Sequence, residues 1–407
     1  IVKLDRNDKD FEKNISKYVM MPANAIKRHV VVEERTKALT EFAENSALNT
    51  VEDNKSEIGV ITSGISYMYA KEALGNKVNY LKLGMVYPLP EKLILNFQKK
   101  CKKLYVVEEL DPFIEEHCKA IGVEVIGKDA FTLLGEYTPA MIKGAILNED
   151  ANKYDIANEP IPVRPPVMCA GCPHRATFYT LKKLGLTVCG DIGCYTLGAV
   201  APLASIDTTI CMGASVSAAH GMAKVRGDEF AKKLVSVIGD STFIHSGITG
   251  LIDIVYNKGI NTVIILDNSI TGMTGHQENP TTGKTIRGEA TKQVDLELLC
   301  KAVGIDRVKI VDPFDLAEFE KTVKEETSVE EPSVIIAQRP CALLKTVKYT
   351  GNCVITDKCK NCKKCMNLGC PAISIKNGKV TIDQTQCNGC TLCINVCPFK
   401  AIEKEEN

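Results

Sequence analysis

Leu234-Val235-Ser236-Val237-Ile238-Gly239-Asp240-Ser241-Thr242-Phe243 decides the fold, together with Thr262-Val263-Ile264-Ile265-Leu266-Asp267-Asn268. Each stretch is a short apolar run that ends in a polar pair, Gly-Asp or Asp-Asn. Such a run, rich in branched side chains and without polar alternation, reads as a strand buried on both faces of a parallel sheet. The Gly-containing segment between them, to about Tyr256, reads as the crossover helix. Asp240 and Asn268 stand 28 positions apart, the length of one β-α-β unit. Both then lie at the carboxyl ends of parallel strands, where open α/β sheets bind ligands.

The residue types at that edge suit a divalent cation beside a diphosphate. A carboxylate, an amide oxygen and a backbone carbonyl supply three oxygen ligands, and Mg²⁺ takes the rest from phosphate and water. Gly247 and Gly250 let backbone N–H groups approach a phosphate near a helix start. Gly-Asp or Asp-Asn alone reads equally well as a turn. The two at this spacing, followed by Gly272-Met273-Thr274-Gly275, outweigh that alternative.

Working outward, Ile58–Thr62, Val78–Leu83 and Leu104–Glu108 read as strands, with helices at Ser66–Leu74 and Pro90–Lys100. This alternation implies a second parallel sheet. The expected fold class is therefore α/β: two parallel-sheet domains, at 57–148 and 160–348, plus a small Cys-rich domain at 349–407. Residues 1–56 read as mixed helix and loop ending in the polar linker Glu52–Ser56. Glu159–Pro166, with four Pro, reads as an extended linker. Fifty basic residues balance fifty acidic ones, so neither a nucleic-acid surface nor an acidic tail is expected. No apolar run reaches the length of a membrane span, and no secretory signal is visible. A cytoplasmic setting is expected. The chain begins at Ile1 rather than Met, which is expected of a piece of a longer polypeptide.

The 18 cysteines are clustered. Without a secretory signal, clustered Cys read as metal ligands rather than disulfides. Cys359, Cys362, Cys365 and Cys370 precede Pro371; Cys387, Cys390, Cys393 and Cys397 precede Pro398. The second run is C-x2-C-x2-C-x3-C-P, and the first has one more residue in its last gap, Met366 to Gly369. Three thiolates close in sequence hold three corners of one cubane, and the fourth reaches the other cluster. Cys359, Cys362, Cys365 and Cys397 are therefore expected to hold one [4Fe-4S] cluster, and Cys387, Cys390, Cys393 and Cys370 the second. Each run is followed by Ala-Ile (Ala372-Ile373, Ala401-Ile402), an internal repeat. Zinc ribbons use two separated C-x2-C pairs, a poorer match. The pattern resembles bacterial two-cluster ferredoxins.

Three further cysteines, Cys169, Cys172 and Cys194, form another group. Among the histidines, His245 lies just past Gly-Asp and is the candidate to face cofactor or substrate. His174, His220 and His276 rank below it, and His29 and His117 read as framework. Cys101, Cys118, Cys189, Cys211, Cys300 and Cys353 read as structural.

The segments C-A-G-C-P-H-R at 169–175, G-D-I-G-C-Y-T-L-G at 190–198, C-M-G-A-S at 211–215 and G-D-S-T-F-I-H-S-G-I-T at 239–249 carry a resemblance. With Asp267–Gln277, which looks like D-N-x-x-x-G-M-T-G-G-Q, they make the chain similar to 2-oxoacid:ferredoxin oxidoreductases, specifically to the C-terminal two-thirds of the indolepyruvate type's α subunits. Ser241 departs from the Gly of the usual G-D-G thiamine diphosphate motif. The resemblance implies a transketolase-C-like domain, a thiamine-diphosphate domain and a ferredoxin module, in that order, with residues 1–56 the tail of a pyrimidine-binding domain. It implies that Gly239, Asp240, Ser241, Asn268, Ile270, Gly272, Met273 and Thr274 hold thiamine diphosphate, and that the Ile270 carbonyl joins Asp240 and Asn268 on Mg²⁺. It implies a third [4Fe-4S] cluster on Cys169, Cys172, Cys194 and a distant Cys, for which Cys341 is the candidate; Cys341 also reads as a buried free thiol. The implied reaction is an oxygen-sensitive oxidative decarboxylation of an arylpyruvate to an acyl-coenzyme A and carbon dioxide, with electrons passed to ferredoxin. The implied partners are a smaller β subunit, ferredoxin, coenzyme A and the 2-oxo acid. A pyruvate or other 2-oxoacid enzyme, and a non-enzymatic electron-transfer subunit, remain the alternatives.

Overall fold

The computed structural model describes residues 10–149, 162 and 164–405, so part of the expected Pro-rich linker lies outside the described residues. The chain divides into two compact units, Ile1–Ile161 and Pro162–Asn407.

In the first unit, β1 (Thr50–Glu52), β2 (Ile58–Ser63), β3 (Asn79–Leu83) and β4 (Lys103–Val107) form one sheet in the order β1-β3-β2-β4. β2, β3 and β4 are parallel and β1 is antiparallel on the edge. Alternate residues serve opposite faces. Ile61, Leu81 and Val106 pack with Ile94 and Phe97, while Val60, Tyr80 and Tyr105 pack with Leu74 and Ile142. The polar run Glu52–Ser56 is not a free linker. Glu52 ends β1, and the buried Asn79 amide accepts from the Asn54 backbone at 2.8 Å and donates to the Ser56 carbonyl at 2.7 Å. Within the N-terminal segment, the helix Pro22–Asn45 buries only Ala43.

In the second unit, β5 (Thr187–Cys189), β6 (Leu234–Gly239), β7 (Thr262–Asp267), β8 (Arg307–Val311) and β9 (Ser333–Gln338) form a parallel sheet in the order β5-β6-β7-β9-β8. β6 and β7 are buried along their full length. One face packs Val237, Ile264 and Ile335 against Phe178, Leu181 and Phe319; the other packs Ile238, Val263 and Ile336 against Phe243, Leu251 and Leu296. The segment after β6 is helical throughout, but Phe243–Gly247 is a π-helical turn before the α-helix Ile248–Tyr256. Such turns are frequent at functional sites.

The Cys-rich segment belongs to this second unit. β10 (Cys353–Ile355) pairs antiparallel with β13 (Ile402–Lys404), and β11 (Ile373–Lys376) with β12 (Lys379–Ile382). The repeated Ala-Ile dipeptides are buried at the starts of β11 and β13. A module this small has little core of its own. It shares one with the helix His174–Leu184 through Ala176 and Tyr179, and with Phe314.

Candidate functional site

Asp240 follows β6 and Asn268 follows β7, neighbouring strands, so both stand at the carboxyl edge of the sheet. Gly239, Asp240, Ser241, Asn268, Ile270, Gly272, Met273 and Thr274 all line one cavity of about 150 Å³. Its far wall is His174, Cys194, Tyr195 and Met212.

Asp240 is buried. One carboxylate oxygen accepts from the Ser241 backbone at 2.8 Å; the other has only long contacts, to Asn279 at 3.4 Å and Thr281 at 3.3 Å. Burial, and next the neighbouring Asp267 charge, push its pKa up to about 7. A carboxylate held this way is short of a cation, which is the donor chemistry a hard metal ion needs. The Asn268 amide nitrogen donates to His174 Nε2 at 3.3 Å. Burial lowers the His174 pKa to about 4, so its ring is neutral and can accept that bond. The Asn268 side-chain oxygen is thereby the atom left for a metal.

Two loops shape the other wall. Asp191 is fully buried and accepts backbone N–H bonds from Ile192, Gly213 and Ser215 at 2.8–3.0 Å. It ties the 190–198 segment to the 211–215 segment. Gly239 carries no side chain because a Cβ there would meet the Tyr195 ring at 2.7 Å. The Gly-Met-Thr-Gly turn is closed by paired backbone bonds between Thr271 and Gln277 at 3.0 and 3.1 Å.

Cys194 lines this cavity, and a Cβ on Gly272 would lie 3.5 Å from its sulfur. Burial and then the charges of Cys341 and Cys169 hold the Cys194 thiol up; Cys172, driven up to about 12 mainly by burial, also feels Cys169 and Cys341. Cys169 and Cys341 thus lie near both Cys172 and Cys194. The Cys341 backbone donates to the Asn268 carbonyl at 2.9 Å, so the end of β9 brings this distant residue to the cofactor cavity.

The eight cysteines of the two Cys runs divide between two cavities. Cys359, Cys362, Cys365 and Cys397 line one, with Lys360, Lys363 and Phe399. Cys370, Cys387, Cys390 and Cys393 line the other, with Ala170 and Gly171 from the Cys169–Cys172 loop and Arg175 from the helix His174–Leu184. Among the described residues, no group of three His, Cys, Asp or Glu converges closely enough to hold a single ion. The thiols instead stand around spaces, as a multi-iron cluster requires. Asn388 donates to the Ala170 carbonyl at 3.1 Å and fixes the inner cavity against that loop.

His245 is exposed on the π-helical turn and does not line the cofactor cavity; His174 does. Cys353, read from sequence as structural, lines the inner cavity as a fifth thiol, and its backbone N–H donates to Cys387 Sγ at 3.3 Å. Asn279 and Thr281 had no spacing signal, because they reach Asp240 from a loop beyond β7.

Residues 191–337 match the family described as thiamine pyrophosphate enzyme, C-terminal TPP binding domain, and residues 379–402 match a 4Fe-4S binding domain. The chain overlays 48% of its length on 72% of a 2-oxoglutarate:ferredoxin oxidoreductase from Magnetococcus marinus, at 17% identity and a TM-score of 0.39. It is 38% identical to the indolepyruvate oxidoreductase subunit IorA of Archaeoglobus fulgidus over 422 residues, covering 97% of this chain and 67% of that one. Identity to the IorA subunit of Pyrococcus abyssi is also 38%, over 97% of this chain and 68% of that one. A thiamine-diphosphate edge and iron–sulfur cysteines in one unit, joined to this likeness along nearly the whole chain, place the protein in a family: it belongs to the IorA subunits of the indolepyruvate oxidoreductases, which are 2-oxoacid oxidoreductases.

Proposed function

We propose that this chain oxidatively decarboxylates an arylpyruvate, indolepyruvate by the likeness to its relatives, to an acyl-coenzyme A and carbon dioxide. It works in the cytoplasm with a β subunit and hands electrons to ferredoxin. All 18 cysteines are free thiols, in keeping with a reducing compartment. The observation that carries the reading is that Cys194 lines the cofactor cavity, near Cys169 and Cys341, and that the Cys341 backbone is bonded to the Asn268 carbonyl at that same edge.

In this reading Asp240, Asn268 and the Ile270 carbonyl hold Mg²⁺, and the glycines of 239 and 272 admit the diphosphate. Bound thiamine diphosphate supplies the electron sink for loss of carbon dioxide. Cys169, Cys172, Cys194 and Cys341 hold a cluster beside it. Cys370, Cys387, Cys390 and Cys393 hold the inner ferredoxin cluster, and Cys359, Cys362, Cys365 and Cys397 the outer one. Electrons leave through the outer cavity, where Cys362 is exposed. The chain's own residues orient these groups: His174 sets the Asn268 amide, and Asp191 locks the two loops of the opposite wall.

The test is an anaerobic assay of the assembled enzyme with coenzyme A and a viologen acceptor. Indolepyruvate is expected to reduce the acceptor faster than pyruvate or 2-oxoglutarate. A preference for pyruvate would replace the aryl specificity, and iron without any 2-oxo acid oxidation would leave an electron-transfer subunit.

A further inference from the structure

Arg175 is a buried cation without an anion. It is 3% exposed. Its guanidinium donates to three backbone carbonyls: Met168 at 2.7 Å, Cys169 at 3.0 Å and Leu368 at 2.6 Å. Its Nε is buried with no partner. No carboxylate of the described residues lies within ion-pair distance of it. A buried unpaired charge is strongly unfavourable unless something nearby neutralises it.

The surroundings supply two candidates for that counter-charge. Arg175 lines the inner ferredoxin cavity together with Cys370, and its charge is felt at Cys370 and at Cys172 of the other group. It therefore stands between the two cysteine sets. A cubane on four thiolates carries net negative charge and gains one more on reduction, and net charge is among the factors that set its potential. The extra residue of the first Cys run has a place in this arrangement. The run turns through Gly369 at φ +62, where a Cβ would meet Pro202 at 2.7 Å, and this close approach presents the Leu368 carbonyl to Arg175.

Resting on the cluster assignments of the proposed function, we infer that Arg175 is the shared counter-cation of the third cluster and the inner ferredoxin cluster. It is a positioning residue that holds the ferredoxin module against the Cys169–Cys172 loop. It also favours the reduced state of both clusters, so an electron passes between them across a fixed positive charge.

The experiment is an anaerobic redox titration, followed by electron paramagnetic resonance, of the full chain carrying Arg175→Gln or Arg175→Lys. The outer cluster on Cys359, Cys362, Cys365 and Cys397 is the internal control. In Arg175→Gln, the reduced-to-oxidised ratio of the two flanking clusters at the wild-type midpoint is expected to fall about tenfold, a downward shift of about 59 mV for a one-electron couple. The outer cluster stays in place, and Arg175→Lys retains most of the wild-type potentials. Unchanged potentials in Arg175→Gln, or an equal shift of all three clusters, overturn the inference. Should Arg175→Gln lose iron, Arg175→Lys decides: retained clusters support the counter-cation, and equal loss makes Arg175 a mechanical clamp only. A wild-type chain with only two clusters would sink the cluster assignment itself, before any variant is made.

Discussion

The side-chain nitrogen of Asn268 stands 3.3 Å from Nε2 of His174, a residue 94 positions earlier in the chain. The neutral imidazole accepts, so the amide nitrogen is committed to His174 and the amide oxygen is left free of that bond. Partners that orient a metal ligand typically matter 10- to 100-fold for metal affinity. His174→Phe keeps a ring against Tyr195 but removes the acceptor. Mg²⁺-dependent thiamine diphosphate affinity is expected to fall about tenfold by titration calorimetry, with iron content unchanged. Wild-type affinity in this variant would mean that something else orients Asn268.

Asp240 gives a prediction with a sign. Its folded pKa, about 7, lies above the ordinary value of 3.8. A carboxyl raised on folding costs the metal-free protein stability as pH rises from the ordinary value through the folded one. The cost reaches at most on the order of 4 kcal/mol above pH 7, from a shift of about three units. Asp240→Asn is therefore expected to raise the melting temperature of the metal-free protein at pH 8 but not at pH 4. The same variant loses metal-dependent thiamine diphosphate binding. A lower melting temperature at pH 8 with full cofactor affinity would contradict both halves.

The two cavities of the ferredoxin module each draw three cysteines from one run and one from the other. Cys397→Ser is expected to damage the cluster of Cys359, Cys362 and Cys365 and to spare that of Cys387, Cys390 and Cys393. Cys370→Ser does the reverse. Spin-resonance spectra of the two variants, with iron and sulfide counts, separate them; loss of the same cluster in both would refute crossed ligation.

Cys353 is a fifth thiol at a cavity that needs four. Its backbone, in β10, already donates to Cys387 Sγ. Cys353→Ala should therefore keep the iron content of the wild-type chain, whereas Cys390→Ala should lose about one cluster. Loss of iron from Cys353→Ala would make it a ligand and displace one of the other four.

Two parts of this protein were legible along the chain because short-range spacing decides them. β6 and β7 are mostly apolar runs rich in branched side chains, so they are buried, and Asp240 and Asn268 follow at their ends whatever else the chain does. The two C-x2-C-x2-C runs bring three thiols together within a few residues, and the fourth Cys before each Pro marks the exchange between them. Local sequence could not show pairings made by packing. The polar run Glu52–Ser56 reads as a linker, yet the buried Asn79 holds it in place. His245 reads as the cofactor-facing histidine from its place after Gly-Asp, but a π-helical turn leaves it exposed and His174 lines the cavity instead. Cys341 reaches Asn268 only because β9 lies beside β7. Arg175 meets Leu368 across 193 positions because the small C-terminal module must borrow core from the helix that carries Arg175. Those contacts depend on which surfaces bury each other, and that is a property of the folded chain rather than of any stretch within it.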